Sequence, residues 1–185
     1  MKIIGISGVA RSGKDTLAKM LISEAGEAIH MSFAQPIRAF VADLLGVPVA
    51  DLLDGEFKEA PLPQLNDKSP RNLMQTLGTE WGRDMVDPDL WIKVAKWRLE
   101  GLRKSLCPPK VVVFSDVRFD NEAEMIRQMG GRVVHLQRRC AGLGGAHPSE
   151  AGVRTRSSHD WTIVNDGTMV QLFDCARSLL RNGWR

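Results

Sequence analysis

Apolar residues arrive in short runs that alternate with segments of helical spacing, and the alternation persists over most of the chain. Residues 2–7 (Lys-Ile-Ile-Gly-Ile-Ser) form an apolar run of strand length, and the segment 15–25 sets Leu17, Met20 and Leu21 at helical intervals. Residues 28–32 read as a second strand and 36–45 as a helix with Pro36 in its first turn. The pattern breaks at 46–68, where Val47-Pro48 and Pro61-Leu62-Pro63 predict a loop or short helical pieces. Ser69-Pro70 supplies an N-cap and first helical residue for a helix to about Arg83, and Asp87-Pro88 repeats the signature for a helix to about Ser105. A strand over 110–115 follows, apolar or small throughout 111–115 as befits a strand buried on both faces. A helix at 121–129 stops at Gly130-Gly131, strands cover 132–137 and 162–164, and a last helix spans 169–180.

Five strands separated by helices require a parallel sheet with right-handed crossovers, an α/β fold of three layers with helices on both faces. Ligands in such sheets bind beyond the strands' carboxyl ends, so the loops after Ser7, Ser32, Ser115, Gln137 and Val164 face one cleft. A chain of 185 residues supports one well-buried core. We expect a single domain, with its core in 1–45 and 106–185 and a helical insertion over about 46–105.

Composition narrows the partners. A quarter of the residues are charged, no apolar run reaches membrane-span length, and the N-terminus lacks a signal-peptide profile, which predicts a soluble cytoplasmic protein. Cys107, Cys140 and Cys175 are far apart and read as reduced thiols. The net charge of +3 is small and dispersed, so it makes no case for a stable nucleic-acid complex, while an anionic small molecule suits it.

The first strand empties into Gly8-Val9-Ala10-Arg11-Ser12-Gly13-Lys14-Asp15-Thr16. The spacing Gly-x-x-x-x-Gly-Lys is that of a phosphate-binding loop, whose backbone N–H groups wrap a nucleotide's phosphates while the lysine reaches the β and γ oxygens. Gly8, Arg11, Ser12, Gly13 and Lys14 are therefore candidate ATP ligands. Where the pattern puts a hydroxyl directly after the lysine to hold magnesium, this chain has Asp15, with Thr16 one place later. Both are candidates for the metal.

The remaining loops add Asp116-Val117-Arg118 and Arg138-Arg139. A carboxylate and several cations around a phosphate loop point to phosphoryl transfer, which needs positioning and positive charge more than a covalent nucleophile. Lys14, Arg118, Arg138 and magnesium could supply the charge, and Asp116 would orient the metal through water. Asp116 has a lesser alternative as a helix cap or a partner for Arg118, and Arg138 and Arg139 suit a solvated sheet edge equally. No Asn-Lys-x-Asp base-reading motif of a regulatory GTPase occurs.

Ile6 to Thr16, Ser32-Phe33-Ala34-Gln35-Pro36-Ile37-Arg38, Pro70-Arg71 through Gln75, Leu77-Gly78-Thr79-Glu80-Trp81-Gly82-Arg83-Asp84, Ser115 to Phe119 and Asn165-Asp166-Gly167-Thr168 together resemble phage deoxynucleoside monophosphate kinases. The Gly-Lys-Asp variant recurs in that group. The resemblance implies a P-loop kinase fold that moves the γ-phosphate of ATP, with Mg2+, onto a deoxynucleoside monophosphate. It places the acceptor between the helical insertion and the sheet, with Arg38, Arg71 and Arg118 on its phosphate and Gln75 and Trp81 nearer its sugar or base. Trp81, at helical spacing from Leu77, suits a core position as well. The glycine-rich, basic stretch 138–158, with His147 and Glu150, reads as a lid, and Asn165 and Gly167 would cradle the donor adenine. A homodimer is compatible with the resemblance, and a phage-encoded chain would act in the host cytoplasm. Dephospho-coenzyme A kinases and phosphomevalonate-type kinases share much of the loop chemistry, though the helical insertion argues against both. A non-catalytic nucleic-acid-binding module is the remaining alternative.

Overall fold

The computed structural model describes residues 1–53, 55–139, 152–154 and 156–182. They divide into two compact units, one formed by Met1–Ser32 with Ala95–Arg185 and the other by Phe33–Val94.

The first unit is built on five strands: β1 (Lys2–Ser7), β2 (Ala28–Met31), β3 (Val111–Val117), β4 (Arg132–Gln137) and β5 (Trp161–Val164). All pair in parallel in the order β2-β3-β1-β4-β5, so β1 is central. Side chains alternate across a strand. Ile4, Ile6, Val111, Val113, Val134 and Leu136 accordingly meet Leu17, Ala18 and Leu21 of α1 (Lys14–Ala25) and Leu172, Ala176 and Leu179 of α7 (Met169–Asn182) in one core. On the other face Ile126 of α6 (Asp120–Gln128) packs over Gly5. Helices thus cover both faces, as the alternation of the sequence predicts.

In the second unit α2 (Gln35–Leu45) packs Val41 and Ala42 against Leu52, Leu73 and Leu77. The expected break at 46–68 resolves into short pieces: 3-10 turns at Val49–Leu52 and Pro63–Leu65 and the one-turn helix α3 (Glu56–Glu59). The helix expected over 69–83 is two elements, α4 (Pro70–Gln75) and a π-helix at Thr76–Val86. Trp91 accounts for part of this widening. Its Nε1–H donates to the Gly78 carbonyl at 2.7 Å, and its ring lies where a Cβ on Gly82 would come within 2.7 Å. α5 (Leu90–Arg103) begins later than expected, because the Asp87 carboxylate accepts from the Asp89 N–H at 2.7 Å and caps a turn ahead of the helix.

No helix among the described residues is long and apolar enough to cross a membrane.

Candidate active site

The phosphate loop is fixed by contacts at its base. Gly13 holds φ at 100°, and a Cβ there would lie 2.5 Å from Asn165 Nδ2; a Cβ on Gly8 would strike the Leu136 carbonyl oxygen. Arg11 also adopts a left-handed backbone, φ 63°, a conformation that costs a bulky residue about 1–3 kcal/mol and persists only where neighbours enforce it. One enforcing contact is the amide of Asn165, which donates to the Ser12 carbonyl at 2.8 Å. The Ser12 hydroxyl is wholly buried and has no hydrogen-bond partner among the described residues. An unpaired buried hydroxyl costs about 1–3 kcal/mol, so the loop carries polar capacity that the described residues do not fill. Lys14 donates from Nζ to the Val9 carbonyl at 2.8 Å, which lays its ammonium group along the loop. Asp15 is exposed and Thr16 half-buried in the first turn of α1.

Asp116 lies within β3, which runs on to Val117. Because Val117 is in register with Ser7, Asp116 is set on the neighbouring strand beside the start of the phosphate loop. Its carboxylate accepts a 2.6 Å hydrogen bond from the Ser32 hydroxyl, and His30 Nε2 lies 2.8 Å from Ser115 Oγ one position earlier. The N–H groups of Arg118 and Phe119 donate to the buried Glu122 carboxylate at 2.8 and 3.2 Å, fixing the turn that carries the Arg118 side chain.

Arg138 is exposed at the end of β4. Arg139 is held to Asp166, through its N–H at 2.8 Å and its guanidinium at 3.2 Å. The 165–168 loop, which includes Gly167, lines a cavity of about 240 Å³ with Gln171, Leu172 and Cys175. Asn165 therefore both lines this cavity and braces the phosphate loop. Cys107 and Cys175 are free thiols. Cys140, the stretch 142–145, His147 and Glu150 lie outside the described residues. Beyond them, the Arg154 N–H donates to Asp120 at 2.9 Å.

The other candidates belong to the Phe33–Val94 unit. Arg38 is half-buried on α2, and Gln75 closes α4. Arg71 holds Glu59 with its fork: Nε lies 2.7 and 2.8 Å from the two carboxylate oxygens and Nη2 2.7 Å from one of them. Trp81 is 45% exposed, so it does not take the core position open to it on spacing, whereas Trp91 is buried.

One polar centre had no motif to reveal it. Asp160 accepts from Arg127 at 3.2 and 2.7 Å and from the Ser157 N–H at 3.0 Å, and lies 2.8 Å from His135 Nε2. Burial pushes its carboxyl pKa up, but the hydrogen bonds from Arg127, His135 and Ser157 outweigh burial and hold it at about 2. This centre ties the residues entering β5 to α6 and β4. Asp160 lies 25 and 33 positions from His135 and Arg127, so only folding brings those three together.

Comparison with known proteins bears on the whole chain. The family model described as deoxynucleotide monophosphate kinase matches residues 55–175. A protein of Acanthamoeba polyphaga mimivirus, named for the same activity, is 32% identical, the alignment covering 98% of this chain and 97% of its own. The deoxynucleotide monophosphate kinase of Enterobacteria phage T4 is 28% identical, with coverages of 98% and 99%. The deoxynucleoside-5'-monophosphate kinase of Escherichia phage T5 is 24% identical, with coverages of 89% and 90%.

Proposed function

The chain belongs to the deoxynucleotide monophosphate kinase family, and from that premise we propose that it transfers the γ-phosphate of ATP to a deoxynucleoside monophosphate, giving the diphosphate and ADP. The observation that carries the reading is the loop itself, with Gly8 and Gly13 leaving room for its closure, Asn165 bracing it and Ser12 holding an unsatisfied hydroxyl. Family membership sets aside the dephospho-coenzyme A and phosphomevalonate alternatives.

In this reading the N–H groups of the loop hold the donor phosphates, and Lys14 shifts from the Val9 carbonyl to the β and γ oxygens. The cavity beside the 165–168 loop takes the donor base. Arg118 and Arg138 bring positive charge to the equatorial oxygens, and Arg38, Arg71, Gln75 and Trp81 bind the acceptor. Magnesium in kinases is usually held by one or two protein oxygens plus the substrate's phosphates, so it needs no dedicated cluster of protein ligands. Thr16 and Asp116 would hold it, the latter pre-oriented by Ser32, with Asp15 on the exposed side. When bound it neutralises charge on the donor phosphates. We further propose that the chain acts as one catalytic domain in the cytoplasm, that of the host if it is phage-encoded; the lid expected over 138–158 falls mostly outside the described residues. A homodimer is compatible with this.

The test is direct. With ATP and magnesium, the protein should form ADP in the presence of at least one deoxynucleoside monophosphate. ADP formation with none, alongside salt-sensitive binding to DNA, would favour a non-catalytic nucleic-acid-binding protein.

A further inference from the structure

We infer that Glu59 is a built-in stand-in for the acceptor's phosphate, occupying the guanidinium fork of Arg71 until a phosphate displaces it. The inference rests on the reading that Arg71 binds the acceptor, and it adds a residue that neither the motifs nor family membership assigns.

The geometry is that of a phosphate contact. Arg71 Nε reaches both Glu59 oxygens, at 2.7 and 2.8 Å, while Nη2 reaches Oε1 at 2.7 Å. Two oxygens of a tetrahedral phosphate can be held by the same donors in a similar bidentate way, so carboxylate and phosphate compete for one fork. The two partners come from separate elements. Arg71 is in the first turn of α4, behind the Ser69 N-cap, whereas Glu59 ends the one-turn helix α3. The pair is also open to solvent, the Arg71 side chain being 36% and the Glu59 side chain 53% exposed. An ion pair so exposed shifts an equilibrium by no more than about fivefold, so a substrate can break it at little cost.

Charge sets the outcome of the exchange. A phosphate monoester carries about −1.5 to −2 charges at neutral pH, against one for the carboxylate, so the phosphate wins the fork and a neutral nucleoside does not. Glu59 would thus make occupation of Arg71 conditional on a dianion and discourage weaker anions from resting there. A purely structural partner, holding Arg71 in the pose that binds substrate, would act in the opposite direction.

The experiment uses the full chain, with calorimetric titration of whichever deoxynucleoside monophosphate supports ADP formation, and separately of inorganic phosphate. Wild type is compared with Glu59→Gln, Glu59→Ala and Arg71→Ala, each shown to be folded by its melting curve. Removing the carboxylate should tighten both ligands by about two- to fivefold at low salt, with the gain shrinking as salt rises, and Arg71→Ala should weaken the monophosphate by about tenfold or more. If Arg71→Ala weakens binding while both Glu59 variants leave it unchanged or weaken it, the stand-in role is overturned and the acceptor reading of Arg71 survives. If Arg71→Ala leaves binding unchanged, that reading falls, and the stand-in role with it.

Discussion

The phosphate loop and the arginine-bearing segment of the Phe33–Val94 unit both present groups suited to phosphate, yet they are held in different ways. The loop is held by backbone. Gly13, Arg11 and the Asn165 amide on the Ser12 carbonyl determine its path, and Lys14 grows from the first turn of a helix whose next residues, Leu17 and Leu21, are in the core. Arg71 is held by a side-chain ion pair half in solvent, on an element reached through three short helical pieces. The first arrangement is pre-organised and expensive to disturb; the second can be exchanged. On the proposed reading donor and acceptor both exchange at every turnover, and what differs is the frame that receives each: a fixed loop for ATP and an exchangeable ion pair for the monophosphate.

The contrast predicts where damage falls. Lys14→Ala should lower turnover by about a thousandfold while the melting temperature stays within error, since the ammonium group contributes positioning and charge without packing; near-normal rates would mean that the loop does not hold the donor. Asp160→Asn removes a charge from the buried centre with Arg127 and His135, and denaturant unfolding should show a loss of about 3 kcal/mol. The pH dependence follows in sign. The folded-state pKa of Asp160, about 2, lies below its ordinary 3.8, so its contribution is complete above about pH 4 and is lost as the pH falls through 2. That contribution is about 2 kcal/mol and should vanish from the acid-unfolding profile of Asp160→Asn. Ser69→Ala should do least, because it removes only local cap contacts, in which the hydroxyl accepts from the Asn72 N–H at 3.3 Å and donates to Asn72 Oδ1 at 2.9 Å. A cost of about 1 kcal/mol is expected. A loss as large as that of Asp160→Asn would erase the distinction between a rigid unit and an adjustable one.

The sheet was legible in the sequence because its signals are local. An apolar run, a glycine-rich turn and a lysine leading a helix specify β1, the loop and α1 with no distant information. The second unit was legible only in outline. Ser69 and Pro70 announce α4, but nothing in a 3.6-residue periodicity reports that the chain widens into a π-helix after Gln75, since the Trp91 indole that bonds Gly78 comes from the next helix. The same holds for Asp160, Arg127 and His135, each unremarkable in its own window; Asp116 was singled out by its loop, but its bond from Ser32 exists only after the strands align. Asn165 was placed correctly in a loop at the strands' carboxyl ends, but its bond to Ser12 spans nearly the whole chain.

The strand order has a consequence for the chain as it is made. β1 is synthesised first but is central, and its partners, Val111 opposite Lys2 and Arg132 opposite Ile4, lie more than a hundred positions downstream. At about 5–20 residues per second, the apolar first strand waits several seconds or more without either neighbour. The Asn165 brace arrives later still. A nascent chain therefore has no finished phosphate loop, and until β3 and β4 emerge the backbone groups and apolar side chains of β1 lack the partners that the folded sheet gives them.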